Sequence, residues 1–481
     1  MARMKGAVVV DTERCKGCSL CVVACPQQVL ALAPKKVNVH GYPYVEPAAM
    51  DKCTGCASCG TVCPDGCITV YREKRPDTNQ PTGPHSGPSL SKDGSAATSP
   101  LKAQDAGVTT PLCEKEKQGS KSAAILMKGN EAIAHAAIRC GCDGYFGYPI
   151  TPQREVIETL AELKPWETTG MVVLQAESEV ASINMIYGGA GAGKRVMTSS
   201  SSPGIALMQE GIAYMAGAEL PGVFVNVQRG GPGLGTIQPS QSDYFQATRG
   251  GGNGDYYVIV LAPNSVQEMA DFVDLAFDLA FKYRNPAMIL SDGVIGQMME
   301  KVVLPPYKPR RTEEEIRQQC PWATIGRTKG RKPNIITSLE LKPEVMEARN
   351  IHLQEKYAEI REKEVRYETM FCDDAEYIIV AFGSAARLTQ KAIEMAREEG
   401  IKVGLLRPIT LWPFPSKQIA AMAQGKKGVL VVEINAGQMV QDVRLAINGA
   451  VPVEHFGRLG GIVPEPEEIV SALRAKLMNN G

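Results

Sequence analysis

The sequence predicts an α/β protein in which two parallel-sheet domains follow a small α+β domain. Three observations predict this fold class. A duplicated cysteine run fills the start of the chain, a stretch rich in Pro, Gly, Ser and Thr follows it, and from residue 123 apolar runs alternate with amphipathic ones. Apolar strands separated by helices are typical of a parallel sheet that is covered on both faces. The predicted boundaries are 1–75, the linker 76–122, 123–302, a bridging segment 303–370, and 371–481.

The length and charge of the chain restrict the class of protein. Its 481 residues are too many for one hydrophobic core. Lysine plus arginine number 52, as do aspartate plus glutamate, and this balance gives no indication of a nucleic-acid or membrane-surface partner. The sequence has no apolar run of membrane-spanning length and no secretory leader at its start. We therefore expect a cytoplasmic protein.

The strongest motif is the run C-x₂-C-x₂-C-x₃-C-P, which occurs as "CKGCSLCVVACP" and again as "CTGCASCGTVCP". This spacing is typical of domains with two 4Fe–4S clusters, in which the fourth cysteine of each run binds the cluster of the other run. The predicted ligands of the first cluster are Cys15, Cys18, Cys21 and Cys63. Those of the second cluster are Cys53, Cys56, Cys59 and Cys25. Cys67 lies beyond the pattern and is not predicted to be a ligand.

Zinc is the alternative occupant of these motifs. It typically takes four ligands from two separated C-x₂-C pairs, and it would leave thiols unused in each run. Residues 5–75 resemble a bacterial ferredoxin with two 4Fe–4S clusters. Such clusters transfer single electrons, so this part alone would predict an electron carrier.

Strands and helices alternate along the rest of the chain. The predicted strands of the first α/β domain are 144–150, 171–176, 195–200, 222–228, 256–262 and 286–292. The helices between them include "QREVIETLAELK", "ESEVASINMIYGG" and "VQEMADFVDLAFDLAFKY". After the charged bridging segment the pattern resumes with "EYIIVAF", "KVGLLRP" and "GVLVVEI", which predict a second, smaller α/β domain.

The segment "GGAGAGKR" at 188–195 nearly matches the phosphate-binding loop G-x-x-x-x-G-K-S/T. Arg195 stands where the hydroxyl ligand of Mg²⁺ belongs. The segment also follows a predicted helix and precedes a strand, which is the reverse of a phosphate-binding loop. We interpret it as the glycine-rich end of a helix.

Three polar residues follow predicted strands of the first α/β domain. Thr151 lies in "GYPITP", Glu179 in "QAESEVAS" and Arg229 in "VNVQRGGPG". In an open parallel sheet, ligands bind beyond the carboxyl ends of the strands, and an arginine fork suits a substrate carboxylate. Each residue also has an ordinary structural explanation, as a helix cap, a helix start or a surface charge.

Several longer motifs resemble the α subunit of the 2-oxoacid:ferredoxin oxidoreductases. They include "GYPITPQREVIETLAEL", "QAESEVASINMIYGGAGAG", "VNVQRGGPGLG", "LLRPITLWPFP" and "VVEINAGQM", and the resemblance covers roughly residues 125–480. It implies a thiamine pyrimidine-binding domain followed by a transketolase C-terminal-like domain. It also implies an enzyme that uses thiamine diphosphate and coenzyme A to convert a 2-oxoacid into acyl-CoA and CO₂. The electrons would pass through the 4Fe–4S clusters to ferredoxin or a similar acceptor.

The resemblance also implies roles for the three polar residues. Thr151 would bind the substrate carboxylate or ketone, and Arg229 would lie at the substrate carboxylate. Glu179, which the spacing to "YGG" favours over Glu177, would bind the pyrimidine ring of thiamine and help to activate it. A carboxylate on that ring nitrogen promotes the tautomer that acts as the base.

The motif that anchors Mg²⁺-diphosphate in thiamine enzymes, "GDG" with a later asparagine, is absent from the sequence, and "SDG" at 291–293 is the nearest match. The resemblance therefore implies that a partner β subunit supplies the diphosphate-binding half of the site, and that a γ subunit completes the complex. We expect the chain alone to be inactive.

The segment "GLGTIQPSQSDYFQATRGGGNGDYYVIVLAP" resembles the branched-chain type of this family more than the 2-oxoglutarate type, which implies a substrate such as 2-oxoisovalerate, and aryl-2-oxoacid relatives resemble it too. 2-Oxoglutarate remains an alternative substrate. A further alternative is that the chain is an electron-transfer or docking subunit without a catalytic role of its own.

Overall fold

The computed structural model of the chain describes residues 6–17, 19–39, 41–56, 58–61, 63, 67–72, 124–326, 330 and 332–478. The chain divides into two units, Met1–Gln104 and Asp105–Gly481. The predicted linker at 76–122 and the predicted cluster ligand Cys18 lie outside the described residues.

The N-terminal unit consists of two antiparallel strand pairs and two short helices. Its elements are β1 (Gly6–Val10), α1 (Leu20–Ala24), β2 (Leu30–Val37), β3 (Pro43–Pro47), a 3₁₀ turn (Met50–Lys52), α2 (Ser58–Thr61) and β4 (Ile68–Arg72). Strand β1 pairs with β4, and β2 pairs with β3. The glycine of each C-x-G-C segment, Gly17 or Gly55, has a φ of 65°, which a residue with a Cβ adopts only at a cost.

The second unit begins with a hairpin strand and a series of alternating strands and helices. These elements are β5 (Ile125–Lys128), α3 (Gly129–Arg139), β6 (Gly144–Gly147), α4 (Glu155–Leu163), α5 (Pro165–Thr168), β7 (Val172–Gln175), α6 (Glu179–Gly191), β8 (Val196–Ser200), α7 (Ser202–Gly217), β9 (Gly222–Gln228), α8 (Tyr244–Thr248), β10 (Ile259–Leu261), α9 (Val266–Tyr283), β11 (Pro286–Asp292), α10 (Gly293–Gln297) and β12 (Met299–Val302). Strand β12 returns to pair with β5.

Two helices of the bridging segment and a second α/β region follow. These elements are α11 (Glu313–Gln319), α12 (Pro343–Lys363), β13 (Tyr367–Met370), β14 (Tyr377–Ala381), α13 (Gly383–Glu398), β15 (Val403–Pro408), β16 (Thr410–Trp412), α14 (Ser416–Ala423), β17 (Gly428–Glu433), α15 (Met439–Ile447), β18 (Val453–Gly457), α16 (Pro466–Leu473) and a π-helical turn (Arg474–Met478). No helix in the described part of the chain is long and apolar enough to cross a membrane.

The larger sheet has seven strands in the order β16-β10-β11-β9-β8-β6-β7. Its neighbours are parallel except β16, which runs antiparallel to β10. Every residue of β8, β9 and β11 is buried, as expected for the central strands of a sheet covered on both faces. The smaller sheet has the order β13-β15-β14-β17-β18, with β13 antiparallel. The predicted α/β fold class with two parallel-sheet domains is confirmed.

Two edge strands lie where the sequence did not predict them. Strand β16 belongs by sequence to the second domain, yet Trp412 pairs with Val260 in the first sheet. Strand β13 lies inside the predicted bridging segment 303–370, yet it pairs with β15 of the second sheet. The second sheet therefore includes Tyr367–Met370, which the sequence assigned to the bridging segment. Edge strands depend on partners that are distant in sequence, so a local pattern does not reveal them.

Helix α12 of the bridging segment packs against the edge of the larger sheet formed by β16 and β10. The ring of Tyr357 makes edge contacts with Tyr257 and Trp412, which are themselves stacked 4.8 Å apart. Lys356 forms an ion pair with Glu219 at 3.2 Å. The long polar helix is thus anchored by a few buried side chains, while most of its surface is exposed.

Candidate active site and cluster motifs

The carboxyl ends of β6, β7, β8 and β9 meet at one edge of the larger sheet, because these strands are parallel neighbours. Thr151, Glu179 and Arg229 follow β6, β7 and β9, so the structure brings the three predicted residues to the same edge. Ser202, which follows β8, was not predicted from the sequence.

Arg229 connects two segments of this edge and is only 9% exposed. Its Nη1 donates a hydrogen bond to the backbone oxygen of Thr151 at 3.0 Å, and its Nη2 donates to the backbone oxygen of Leu234 at 3.2 Å. Its Nε is buried and has no partner within the described residues. Because a guanidinium carries five N–H donors, Arg229 holds the Thr151 turn and the glycine loop together with donors to spare. The Thr151 side chain is exposed beside it.

Glu179 is the first residue of α6 and is 6% exposed. The preceding Ser178 caps the helix, because its side chain accepts a hydrogen bond from the backbone nitrogen of Ala181 at 3.2 Å. A carboxylate at this position is also favoured by the helix dipole. Glu177 is exposed and accepts a hydrogen bond from Ser178 Oγ at 3.2 Å. Of the two acids of "AESE", Glu179 is therefore the buried one.

The first turn of α7 leaves a space that the Glu179 carboxylate fills. A Cβ added at Gly204 would lie 2.6 Å from Glu179 Oε1 and would also overlap Ser200 Oγ. Ser200 is fully buried, and its hydroxyl has no hydrogen-bond partner within the described residues. The missing side chain at Gly204 thus lets a carboxylate and an unpartnered hydroxyl approach the same point.

A second acid near this edge was missed by the sequence analysis. Ser202 Oγ donates to Asp243 Oδ2 at 2.5 Å, and Asn226 Nδ2 donates to the same oxygen at 2.9 Å. Burial raises the pKa of the Asp243 carboxyl, although these two hydrogen bonds oppose the shift. Ser202 Oγ also accepts a hydrogen bond from the backbone nitrogen of Arg229 at 3.1 Å. In the sequence, the one feature that could have indicated Asp243 is the position of an acid in "SQSDYF", shortly after the glycine loop.

A cavity of about 670 Å³ lies between the Arg229 loop and the second sheet. Its polar lining side chains are Ser202, Ser240, Ser242, Asp243, Gln246, Asn435 and Gln438, and its larger apolar ones are Pro203, Pro232, Ile434 and Leu459. A cavity of this size at a domain boundary is suited to a small-molecule ligand.

The two imperfect phosphate motifs have structural roles. The glycines of "GGAGAGKR" lie in the last turns of α6 and in the turn that follows, where the backbone nitrogen of Arg195 donates to Asp143 Oδ2 at 2.8 Å. In "SDG", Asp292 caps α10 by accepting hydrogen bonds from the backbone nitrogens of Val294 and Ile295, and Ser384 Oγ donates to it at 2.5 Å. Asp292 is thus a buried helix cap.

Most of the described cysteines of the two runs lie in or against the core of the N-terminal unit. Cys15, Cys21, Cys53, Cys59 and Cys67 are buried in one apolar cluster, against which Cys25 and Cys63 pack, whereas Cys56 is exposed. The described cysteines form no disulfide. No three acidic, histidine or cysteine side chains in the described ranges converge as ligands of a single metal ion. A 4Fe–4S cube does not need such convergence, because each cysteine binds a different iron.

Electrostatic contacts link thiols of the two runs. Burial raises the pKa of the Cys59 thiol in the second run, and Cys25 at the end of the first run raises it further. Burial also raises the pKa of Cys67 to about 12, with further contributions from Cys63 and Cys15. Thiols of the first run thus interact electrostatically with thiols at or beyond the second run.

Family models match three parts of the chain. A model described as "Pyruvate flavodoxin/ferredoxin oxidoreductase, thiamine diP-bdg" matches residues 135–367, "Pyruvate:ferredoxin oxidoreductase core domain II" matches 375–469, and "4Fe-4S dicluster domain" matches 14–67. The ketoisovalerate oxidoreductase subunit VorB of Methanothermobacter thermautotrophicus is 49% identical over 349 residues, which cover 73% of this chain and 97% of that protein. The chain belongs to the 2-oxoacid:ferredoxin oxidoreductase family.

Other relatives of this oxidoreductase chain differ in substrate. The 2-oxoglutarate synthase subunit KorA of Methanothermobacter marburgensis is 37% identical over 374 residues, covering 72% of this chain and 97% of that protein. A solved 2-oxoglutarate:ferredoxin oxidoreductase from Magnetococcus marinus, with 2-oxoglutarate, coenzyme A and succinyl-CoA bound, is 28% identical with a TM-score of 0.65, and the match covers 76% of this chain and 69% of that chain.

The comparisons confirm the resemblance predicted from the sequence. The chain is part of a multi-subunit oxidoreductase, and its family uses thiamine diphosphate, 4Fe–4S clusters and coenzyme A. A buried carboxylate such as Glu179 is the kind of group that binds a thiamine pyrimidine, and the grouped thiols fit two clusters. The predicted roles of individual site residues and the predicted domain boundaries stay predictions.

Proposed function

We propose that the chain is the α subunit of an oxidoreductase that acts on a branched-chain 2-oxoacid such as 2-oxoisovalerate. The observation that carries this proposal is the 49% identity to a ketoisovalerate oxidoreductase subunit over 97% of that protein. In the proposed reaction, the 2-oxoacid and coenzyme A give acyl-CoA and CO₂. Two electrons leave singly through the clusters of the N-terminal unit to ferredoxin or a similar acceptor.

The side chains at this edge of the larger sheet support the proposed reaction. Thiamine diphosphate, when bound, supplies the electron sink for decarboxylation. Glu179 would accept a hydrogen bond from the pyrimidine ring and share its proton, and its burial keeps water from competing for that proton. The exposed Thr151 hydroxyl would orient the substrate carboxylate or ketone. Arg229 would bind the substrate carboxylate with the donors that its two backbone contacts leave free.

The comparisons favour an apolar substrate, because identity to the ketoisovalerate oxidoreductase subunits is 49–50% and identity to a 2-oxoglutarate synthase subunit is 37%. The relatives of the 2-oxoglutarate type keep that substrate as the alternative. Rates of viologen reduction with 2-oxoisovalerate, an aryl 2-oxoacid and 2-oxoglutarate distinguish them, and dominant 2-oxoglutarate activity would overturn the choice.

A partner β subunit completes the thiamine site in this proposal. The nearest match to the diphosphate motif, "SDG", uses Asp292 as a buried helix cap, so this chain offers no Mg²⁺-diphosphate anchor there. A γ subunit completes the complex. We place the complex in the cytoplasm, because thiols and clusters persist in a reducing compartment.

The ligands of the two clusters are proposed as crossed sets. Cys15, Cys18, Cys21 and Cys63 hold the first cluster, and Cys53, Cys56, Cys59 and Cys25 hold the second. The electrostatic interaction between Cys59 and Cys25 supports the second set, and the interactions of Cys67 with Cys63 and Cys15 support the first.

The decisive experiment is anaerobic purification of the native complex with Glu179→Gln and Glu177→Gln variants. The wild-type complex is expected to contain the partner subunits, bound thiamine diphosphate, and the iron and sulfide of its clusters. Glu179→Gln should lose substrate-dependent cluster reduction and keep dithionite reduction, whereas the exposed Glu177→Gln control should keep both. Survival of substrate-dependent reduction in Glu179→Gln would show that Glu179 does not activate the cofactor. If the clusters reduce but no 2-oxoacid is oxidised, the chain is an electron-transfer or docking subunit.

A further inference from the structure

The two halves of the N-terminal unit differ at one position beside the cluster ligands. The first cysteine run ends in "CPQQVL" and the second in "CPDGCI", so Val29 and Cys67 occupy equivalent positions of the repeat. Both residues directly precede a strand, β2 or β4. Both are buried, with Val29 2% exposed and Cys67 4% exposed. The repeat thus places an apolar side chain in one half where the other half has a thiol.

The Cys67 thiol lies against the crossing ligand of its own run. Its Sγ is 3.3 Å from Cys63 Sγ, which is hydrogen-bond distance for sulfur. Its backbone is fixed, because the nitrogen of Asp11 donates to the Cys67 carbonyl at 2.7 Å and β4 begins at the next residue. In the other half, Cys25 Sγ accepts a hydrogen bond from the backbone nitrogen of Val29 at 3.3 Å, and the Val29 side chain has no proton to donate.

We propose that Cys67 donates an S–H···S hydrogen bond to the Cys63 sulfur and thereby raises the reduction potential of the first cluster. This inference rests on the proposed crossed ligand sets. An iron-bound cysteine sulfur has lost its proton, so Cys67 is the donor of this pair. Reduction adds one electron to the cluster and negative charge to its sulfurs, and a donor stabilises the reduced form more than the oxidised form. No bond forms or breaks in this step, and the proton stays on Cys67.

The consequence is that the two clusters of a nearly symmetric domain are inequivalent. The first cluster has a side-chain donor at Cys63, whereas the second has an apolar neighbour at Cys25. An electron that enters the domain is therefore held more strongly at the first cluster than it would be without Cys67. The thiol acts through Cys63, so it tunes a ligand and is not itself a ligand.

The test exchanges the two side chains. The full-length chain and its variants are purified anaerobically, their iron and sulfide are measured, and each is titrated potentiometrically with EPR detection. Cys67→Val, which copies the first half, should shift one midpoint potential to a more negative value and leave the other in place. Val29→Cys, which copies the second half, should shift the other midpoint to a more positive value. Cys67→Ser retains a donor and should stay close to the wild type.

Two results would overturn the inference. In the first, Cys67→Val keeps both clusters and neither midpoint moves, which shows that the thiol has no effect on the potential. In the second, Cys67→Val loses the iron of one cluster, which shows that Cys67 is a ligand. Failure of the proposed function itself would look different, because dithionite would then reduce the clusters of the complex while no 2-oxoacid reduced them.

Discussion

The contact between Gly204 and Glu179 gives a sharp test of the proposed thiamine site. Gly204 lies in the first turn of α7, and no unusual backbone angle requires a glycine there. In solvent-exposed helix positions, Gly→Ala is stabilising by about 1 kcal/mol. At this position the obstacle is space alone, because the added methyl group would meet the side chains of Glu179 and Ser200.

The size of the effect follows from the distances. The Cβ of Gly204→Ala would lie 2.6 Å from Glu179 Oε1 and 2.8 Å from Glu179 Cγ, whereas ordinary contacts are 3.4–4 Å. The carboxylate must therefore move by roughly 1 Å. A displacement of about 1 Å in a catalytic group costs on the order of 100-fold in rate. The free energy of unfolding should change by no more than about 1–3 kcal/mol, the usual cost of overpacking.

The assay is substrate-dependent viologen reduction by the anaerobically assembled complex, together with thiamine diphosphate affinity and the thermal unfolding midpoint. Gly188→Ala is the matched control, because a Cβ at this α6 glycine meets nothing within 4 Å. The double variant Ser200→Ala/Gly204→Ala removes the overlap with the hydroxyl but keeps the overlap with Glu179, so it should recover stability more than activity. Wild-type turnover and thiamine affinity in Gly204→Ala would refute the reasoning.

Two further predictions concern charged side chains of the same unit. The variant Arg229→Lys loses the guanidinium that donates to the backbone oxygens of Thr151 and Leu234. We expect kcat/KM for the 2-oxoacid to fall about 10–100-fold, while the affinity for thiamine diphosphate stays the same. An unchanged kcat/KM would contradict this role. For Glu364, burial alone would raise the pKa, but hydrogen bonds from Lys282 and Tyr283 outweigh it and lower the pKa overall. The carboxylate of Glu364 therefore stabilises the fold above the unfolded pKa of about 4.3, and this stabilisation is lost as the pH falls through the lower folded pKa. The variant Glu364→Gln should lower the thermal unfolding midpoint at pH 7 and leave it nearly unchanged at a pH below the folded pKa. Equal losses at both pH values would contradict this assignment.

The cluster-binding motifs could be predicted from the sequence because of the spacing of their cysteines. Cysteines three or four residues apart, in a loop that enters a short helix, bring their thiols together through local geometry. The duplication also predicts the crossed ligand sets, which stay a prediction, and Cys25 interacts electrostatically with Cys59. The grouping of Thr151, Glu179 and Arg229 could also be predicted, because neighbouring parallel strands end at the same edge of a sheet.

The contacts that surround these residues could not be predicted from the sequence. Glu179 and Gly204 lie on successive helices, and Asp243 meets Ser202 and Asn226 from a loop well beyond β9. No periodicity marks such pairs, since each depends on how two elements pack. The same holds for Cys67, which lies outside the cysteine spacing but within 3.3 Å of Cys63.

The sequence by itself determined the α/β class, the two cluster motifs and the family, because these depend on short-range spacing and on long runs of matching residues. Only the tertiary structure decided which acid of "AESE" is buried and which backbone oxygens accept hydrogen bonds from Arg229. It also decided that β16 pairs in the first sheet. The physical reason is that burial and hydrogen-bond partners are set by residues far away in the chain. The residue type determines which chemistry a side chain is capable of, and the neighbouring residues in the folded protein determine which of those capabilities it uses.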